Sequence, residues 1–399
     1  MSSEPQKKVR ISLKVSKYIY SLSLGHLFVD FSQGALAALL PTLIAQYHYN
    51  YAVAATLVFA MNLVSSIVQP LFGFLSDKYN TGWIIILAIL ITGIGFSSLG
   101  YVPTYALLVI GCLVCGIGVA AYHPDAAKLV NGLAGYNPGQ GMSVFSFGGN
   151  IGFAIGPITL TLIVNHLGIH GIGIFLIIAI IIMLILLKLY PIMHRQSVAF
   201  WSSSKKDRNS KITVHGHNDW VHFSLLSMVL FGRSIIFYGL NTFLVLYWMH
   251  ILKQSNTNGS IALSVLFVIG SLGTLLGGRL ADNIGSIKVI RLTFCILPFL
   301  ILVLSLTRNV LIGSLLLLPI GVLIFLPYSA IVILGQRYLP NNMGFASGVT
   351  LGLAISIGGI ATPLLGYIGD ATSLVTVLQI LAGIGLIPLA FSFLIREPE

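Results

Sequence analysis

Twelve apolar runs, each long enough to cross a bilayer, leave this chain few ways to fold. They lie at roughly 18–44, 51–75, 83–100, 105–127, 140–166, 171–190, 221–250, 258–280, 288–307, 310–337, 342–368 and 373–395, divided by polar or Gly/Pro punctuation. A helix rises about 1.5 Å per residue, so a run of about 20 spans a hydrocarbon core of about 30 Å. Membrane β-strands would be about ten residues long and would alternate in polarity, and these runs do neither. The chain is 56% hydrophobic and only 8% charged, where ordinary soluble domains carry roughly 25% charge. A soluble core could not hide that much apolar surface, so the whole chain is expected to lie in the membrane.

The net charge of +11 invites a nucleic-acid partner, but its distribution argues against one. The cations sit in short segments between apolar runs, as membrane topology demands. With the N-terminus placed inside, 18 of the 21 Lys and Arg residues fall on the inner side; Lys253 and Arg308 lie outside, and Arg233 lies within a span. Both termini are therefore expected in the cytoplasm, with the protein in the plasma membrane. The start, MSSEPQKKVRISLKVSKY, shows no removable signal peptide. The expected organisation is a cytoplasmic tail at 1–17, a six-helix bundle at 18–190, a cytoplasmic linker at 191–220, a second six-helix bundle at 221–395 and a cytoplasmic end at 396–399. His215, His217 and His222 read as part of the solvated linker, because no carboxylate or Cys cluster completes a ligand set. Cys112 and Cys115 form a C-x-x-C inside an apolar helix and read as small buried residues. No metal, cofactor or nucleotide site is expected. The G-x-x-x-x-G-K-S/T loop of ATP users is missing from the sequence, and no Ser/His/Asp set has credible spacing, so no enzyme activity is expected.

The halves repeat. Gly73-Phe-Leu-Ser-Asp77-Lys78 follows the second run, and Gly278-Arg-Leu-Ala-Asp282 follows the eighth, 205 residues on. Gly118, Pro124 and Gly141 match Gly321, Pro327 and Gly344 at an offset of 203, and Gly152 and Pro157 match Gly358 and Pro363 at 206. One nearly constant offset implies duplication of a six-helix unit. Parallel repeats of this kind place a substrate site between the halves, near the bilayer middle.

The G-x-L-x-D-K/R signature after the second span, echoed after the eighth, resembles the major facilitator superfamily. Gly152-x-x-x-Gly156-Pro157 resembles, in part, the fifth-helix signature of its drug:proton antiporter branch. The stretches GHLFVDFSQGALAALLP (25–41), NLVSSIVQPLFGFLSD (62–77), AYHPDAAKL (121–129) and GMSVFSFGGNIGFAIGP (141–157) resemble the fosmidomycin resistance protein family. In the second half the likeness rests on Gly232-Arg233, and Leu244-Val245-Leu246-Tyr247 replaces a Leu-Pro-Leu-Tyr type run. The resemblance implies twelve helices in two pseudo-symmetric bundles that move by alternating access. It also implies efflux of a cargo such as a phosphonate, and a conformational latch at Gly73, Asp77, Lys78 and Asp282.

Within the spans the polar residues are sparse enough to read singly. His26, Asp30 and Gln33 share one face of the first helix. A carboxylate within a span costs several kcal/mol by most estimates and faces protein or water. Asp30 plus 203 is 233, so Asp30 and Arg233 occupy twin positions and are expected to face one cavity. Approach of Arg233 would drive the proton from Asp30, and engagement of Arg233 by substrate would let it return. His26 either shares that proton or orients the carboxylate. Gln33 continues the face as a substrate hydrogen-bonder. His123-Pro124-Asp125 is expected to end the fourth span on the cytoplasmic side; His123 and Asp125 are further candidates for proton coupling, and Asp125 reads alternatively as an inner gate partner for Lys128 or Arg337. Asn62, with Ser65, Ser66 and Gln69, reads as polar glue between helices or as a cavity lining. Asn150 can bond either a neighbouring helix or the substrate. Tyr238 and Asn241 extend the face of Arg233.

The expected function is therefore secondary active export of a small anionic or zwitterionic molecule in exchange for protons, by a monomer in the lipid bilayer. The rivals are a proton-coupled importer of a sugar or organic anion, an exporter of a metal-binding metabolite or lipid, and a non-transporting membrane module.

Overall fold

Glycine spacing, proline positions and capping residues set the helix ends in the computed structural model, which describes residues 16–78, 82–134, 138–207, 217–342, 345–346, 349–350 and 354–397. The first half comprises α1 (Lys17–Tyr47), α2 (Tyr51–Lys78), α3 (Ile84–Ser98), α4 (Tyr105–Ala134), α5 (Pro138–Leu167) and α6 (Ile174–Asp207). The second comprises α7 (Trp220–His250), α8 (Asn256–Ile284), α9 (Ser286–Leu306), α10 (Val310–Phe325), α11 (Tyr328–Tyr338), α12 (Ala354–Ala371), α13 (Leu374–Ile384) and α14 (Leu386–Leu394). Ten helical stretches are long and apolar enough to cross a membrane, α3 is a shorter apolar helix, and α10–α11 and α13–α14 each count as one broken pass. With α12 the described residues make twelve passes, all of them helical.

The helix ends follow local chemistry. Asp219 caps α7 by accepting the His222 amide, and Ser255 caps α8 by accepting the Asn258 amide. Prolines 41, 70, 124 and 157 stay inside continuous helices, which neighbouring helices permit in apolar surroundings. Thus α4 runs through His123-Pro124-Asp125 to Ala134 rather than ending there. α6 likewise continues to Asp207, well into the stretch read as a linker. Pro327 does break its helix, between α10 and α11.

The buried side chains form two apolar cores. One lies wholly within residues 19–193, and the other within 223–395, joined from the first half by Ala37, Ala55 and Ala154. The halves meet along α2 against α12 and α5 against α8, an arrangement related by the sequence repeat. At the end remote from the termini this seam is hydrogen-bonded. Thr161 and Ser260 share a 2.6 Å hydroxyl contact, Asn165 Nδ2 donates to Thr257 Oγ1 at 2.9 Å, and the Ile158 amide donates to Ser264 Oγ at 3.3 Å. Across the other pair, Asp370 of α12 accepts the first two amides of α2, Tyr51 at 2.8 Å and Ala52 at 2.9 Å. Outward-facing Ile177, Ile181 and Leu184 of α6 are each more than half exposed. Such an apolar belt suits lipid contact.

Candidate functional site

α1 is drawn to α5 by glycine. A Cβ at Gly152 would strike the Leu27 carbonyl oxygen, and one at Gly156 would lie 2.8 Å from the Ala35 nitrogen and the Phe31 carbonyl oxygen. Small residues at this spacing let two backbones meet. The fifth-helix signature Gly152, Gly156 and Pro157 is thus part of a packing seam, and α5 continues beyond Pro157 to Leu167.

That seam holds the polar face of α1 against α5 and α4. His26 Nε2 lies 3.1 Å from Asp30 Oδ2, and His123 Nε2 of α4 lies 3.1 Å from Asp30 Oδ1. Each imidazole has its other nitrogen on a backbone carbonyl: His26 Nδ1 to Phe145 at 2.8 Å and His123 Nδ1 to Val119 at 2.7 Å. A carbonyl only accepts, so both Nδ1 atoms carry hydrogen. Each Nε2 therefore meets the carboxylate either as a protonated donor or as a lone pair facing a protonated acid. The His26 ring stacks on Phe145 at 4.1 Å, and a Cβ at Gly149 would lie 2.5 Å from both Asp30 Oδ2 and His26 Nε2. The side chains of Asp30 and His123 remain 17% and 20% exposed, so the cluster lines open space. Its three ligand atoms lie within 4.8 Å of one another, near enough to share a cation, and a proton in each N···O gap satisfies the same atoms.

Asp125, expected beside His123, is buried on α4 within electrostatic reach of Tyr190 of α6. Two residues on a helix turn about 200°, which sends Asp125 away from Asp30. Gln33 Nε2 lies 3.5 Å from Asn62 Oδ1 and 3.4 Å from Ser65 Oγ, so the polar face of α1 continues onto α2. Ser66 then meets Ser356 of the other half at 2.5 Å. Asn150 is exposed, one turn before Phe153, whose ring meets Phe267 at 4.7 Å and Phe237 at 5.9 Å across the seam.

Arg233 is 6% exposed on α7. Its Nε donates to the Ile324 carbonyl at 2.8 Å, and its guanidinium lies over the Tyr328 ring at 5.2 Å. Both partners flank the break at Pro327. Among the described residues the ion-pair partners of Asp30 are His26 and His123, so the two twin charges are each held within their own half. Tyr238 and Tyr328 nevertheless lie within electrostatic reach of both. Asn241 is buried, and its Oδ1 has no hydrogen-bond partner among the described residues. Gly73 lies 3.8 Å, by a notional Cβ, from Pro124 Cβ. The side chains of Asp77, Lys78 and Asp282, the rest of the expected latch, lie outside the described residues.

The sequence alone did not single out Phe145, Phe153, Tyr328 or Asp370, which only packing places. Gly149 carried a signal, since beside Gly148 and Gly152 it marks where helices can approach closely.

The sequence pattern of the Major Facilitator Superfamily matches residues 22–363. The chain is 25% identical to the fosmidomycin resistance protein of Escherichia coli (strain K12), covering 99% of this chain and 98% of that one. It is 26% identical to an uncharacterized MFS-type transporter of Bacillus subtilis (strain 168), over 88% and 86% of the two chains. The fold is similar to that of a bacterial homologue of the human lysosomal transporter Spinster in an inward-facing, occupied conformation, with a TM-score of 0.76, 14% identity, and coverage of 95% and 96%.

Proposed function

This chain belongs to the Major Facilitator Superfamily, and from that premise we propose that it exports a small anionic or zwitterionic molecule in exchange for protons. The observation that carries the reading is Asp30 clasped by two imidazoles in one half, with Arg233 buried in the other; both charges are taken to face one chamber between the halves. Each imidazole has its Nδ1 committed to a carbonyl, so Asp30 and the two Nε2 atoms are the only places in the cluster where a proton can come and go. The guanidinium of Arg233 carries a fixed charge and a planar fork of donors suited to an anionic group. An arriving anion would compete with the Ile324 carbonyl and the Tyr328 ring for this guanidinium.

Alternating access follows from the seam. Asp370 on the amides of α2, with the Ser/Thr contacts between α5 and α8, seals the end remote from the termini. With both termini cytoplasmic, as the distribution of Lys and Arg favours, this is the outer end, and the chamber takes cargo from inside. Opening it requires those hydrogen bonds to part while new contacts form at the other end. Protons from outside then reach the cluster, and cargo leaves Arg233. The likeness to the E. coli fosmidomycin resistance protein supports export as the direction. The protein acts in the plasma membrane as a monomer, with protons rather than a metal or cofactor at the cluster.

Uptake of fosmidomycin and a panel of small anions into everted vesicles tests the direction and the anchor together. An inside-acid gradient should drive uptake by the wild type, and Arg233→Ala should lose anionic cargo at least about tenfold, or about 1.4 kcal/mol. Uptake that needs an inside-alkaline gradient would reverse the direction, and unchanged uptake by Arg233→Ala would remove the anchor.

A further inference from the structure

A cavity lies at the end of the molecule that carries the termini, apart from Asp30 and Arg233. It has a volume of about 710 Å³ and sits between the end of α8, the start of α9, the end of α11 and the final residues. Four cations line it: Lys288, Arg291, Arg337 and Arg396. Among the described lining residues Glu397 is the one acid, and its carboxylate is held as a bound anion would be. Glu397 Oε1 accepts the Ile287 amide in the first turn of α9 at 3.3 Å, and its other oxygen lies 3.7 Å from the Arg337 guanidinium. The start of a 21-residue helix favours negative charge there. The cavity is kept in shape by its neighbours. Arg291 Nε donates to the Ser392 carbonyl at 3.0 Å and its guanidinium lies over Phe393, while the Tyr338 hydroxyl bonds the Arg396 carbonyl.

The lining also has an apolar part: Ile284 and Ile333 belong to it and are themselves 38% and 39% exposed. A cavity with cations at the membrane boundary and isoleucines toward the spans matches one ligand in both parts. We propose that it binds an anionic membrane phospholipid: the phosphate takes the position now held by the Glu397 carboxylate, and an acyl chain lies along the isoleucines. Glu397 is then a resident competitor, so the tail leaves the cavity when lipid enters. This site stands independently of the transport mechanism, because none of its residues touches the chamber.

The test uses the purified full-length chain in phosphatidylcholine nanodiscs, titrated with phosphatidylglycerol and read by native mass spectrometry and thermal midpoint. Phosphatidylglycerol should be retained and should raise the midpoint. Arg337→Gln and Lys288→Gln should each weaken retention about fivefold, the worth of one cation near an anionic surface. Glu397→Gln should tighten it, and Arg308→Ala, at the remote end, should leave it unchanged. Equal retention by Arg337→Gln, Lys288→Gln and the wild type would overturn the proposal, as would a Glu397→Gln variant that binds no more tightly. Inorganic phosphate that reproduces the full midpoint shift would also overturn it, by showing that the lipid chains contribute nothing.

Discussion

At the residue scale the decisive contact is the one that closes Asp30 between two histidines. The pairing of His26 with Asp30 was legible in the sequence, since residues four apart on a helix are neighbours. The arrival of His123 was not, because 93 residues separate it from Asp30 and only the packing of α4 on α1 brings it there. The expected approach of Arg233 to Asp30 is replaced here by separate partners, and the reason is local. The turn at Pro327 leaves a carbonyl and an aromatic face where Arg233 can satisfy itself within its own half. Gly149 exposes the cluster to a simple test. A methyl group there would enter the space of Asp30 and His26, so Gly149→Ala should cost about 1–3 kcal/mol by overpacking and abolish gradient-driven transport. Thermal unfolding beside vesicle transport measures both, and wild-type transport in a stably folded Gly149→Ala would show that the cluster tolerates displacement.

At the scale of elements, run length predicted where helices lie, but not which prolines break them. Pro124 and Pro327 are repeat-related, yet α4 is continuous and α10–α11 is broken. Both sites have a side chain on a nearby carbonyl, His123 on Val119 and Arg233 on Ile324, so that contact does not separate them. The fifth-helix glycines were visible as a motif, but their job, a backbone-to-backbone seam with α1, needs the partner helix to be seen. Helix starts carry their own signal. Burial alone would raise the pKa of Asp219, but the His222 amide and imidazole outweigh it and hold the carboxyl below its usual value of 3.8. Since the folded value is depressed, the stabilisation is present above the unfolded pKa and is lost as pH falls through the folded one. Asp219→Ala should therefore lower stability by about 1 kcal/mol at neutral pH, and the deficit should shrink below about pH 4. Melting curves across pH check this, and a deficit that stays constant into acid would show that the charge is idle.

At the scale of the whole molecule, the duplicated six-helix plan could be read from offsets of 203 to 206 residues, and the two cores and twelve passes bear out the fold. Which end of the seam is closed could not be read, because closure depends on contacts between halves that share no sequence pattern. Asp370 on α2 is such a contact, more than 300 residues distant in the chain. It is solvent-exposed, so its worth is about 1 kcal/mol, and Asp370→Ala should shift the balance about fivefold toward opening at that end. Spin-label distances between α2 and α12 measure the shift, and an unchanged distribution would assign closure to the Ser/Thr contacts alone. The direct measurement of what Asp30 does is transport by Asp30→Asn in proteoliposomes, with and without a pH gradient. The variant should still exchange cargo for cargo but gain nothing from the gradient. An Asp30→Asn protein accelerated by the gradient as fully as the wild type would contradict Asp30 as the proton carrier.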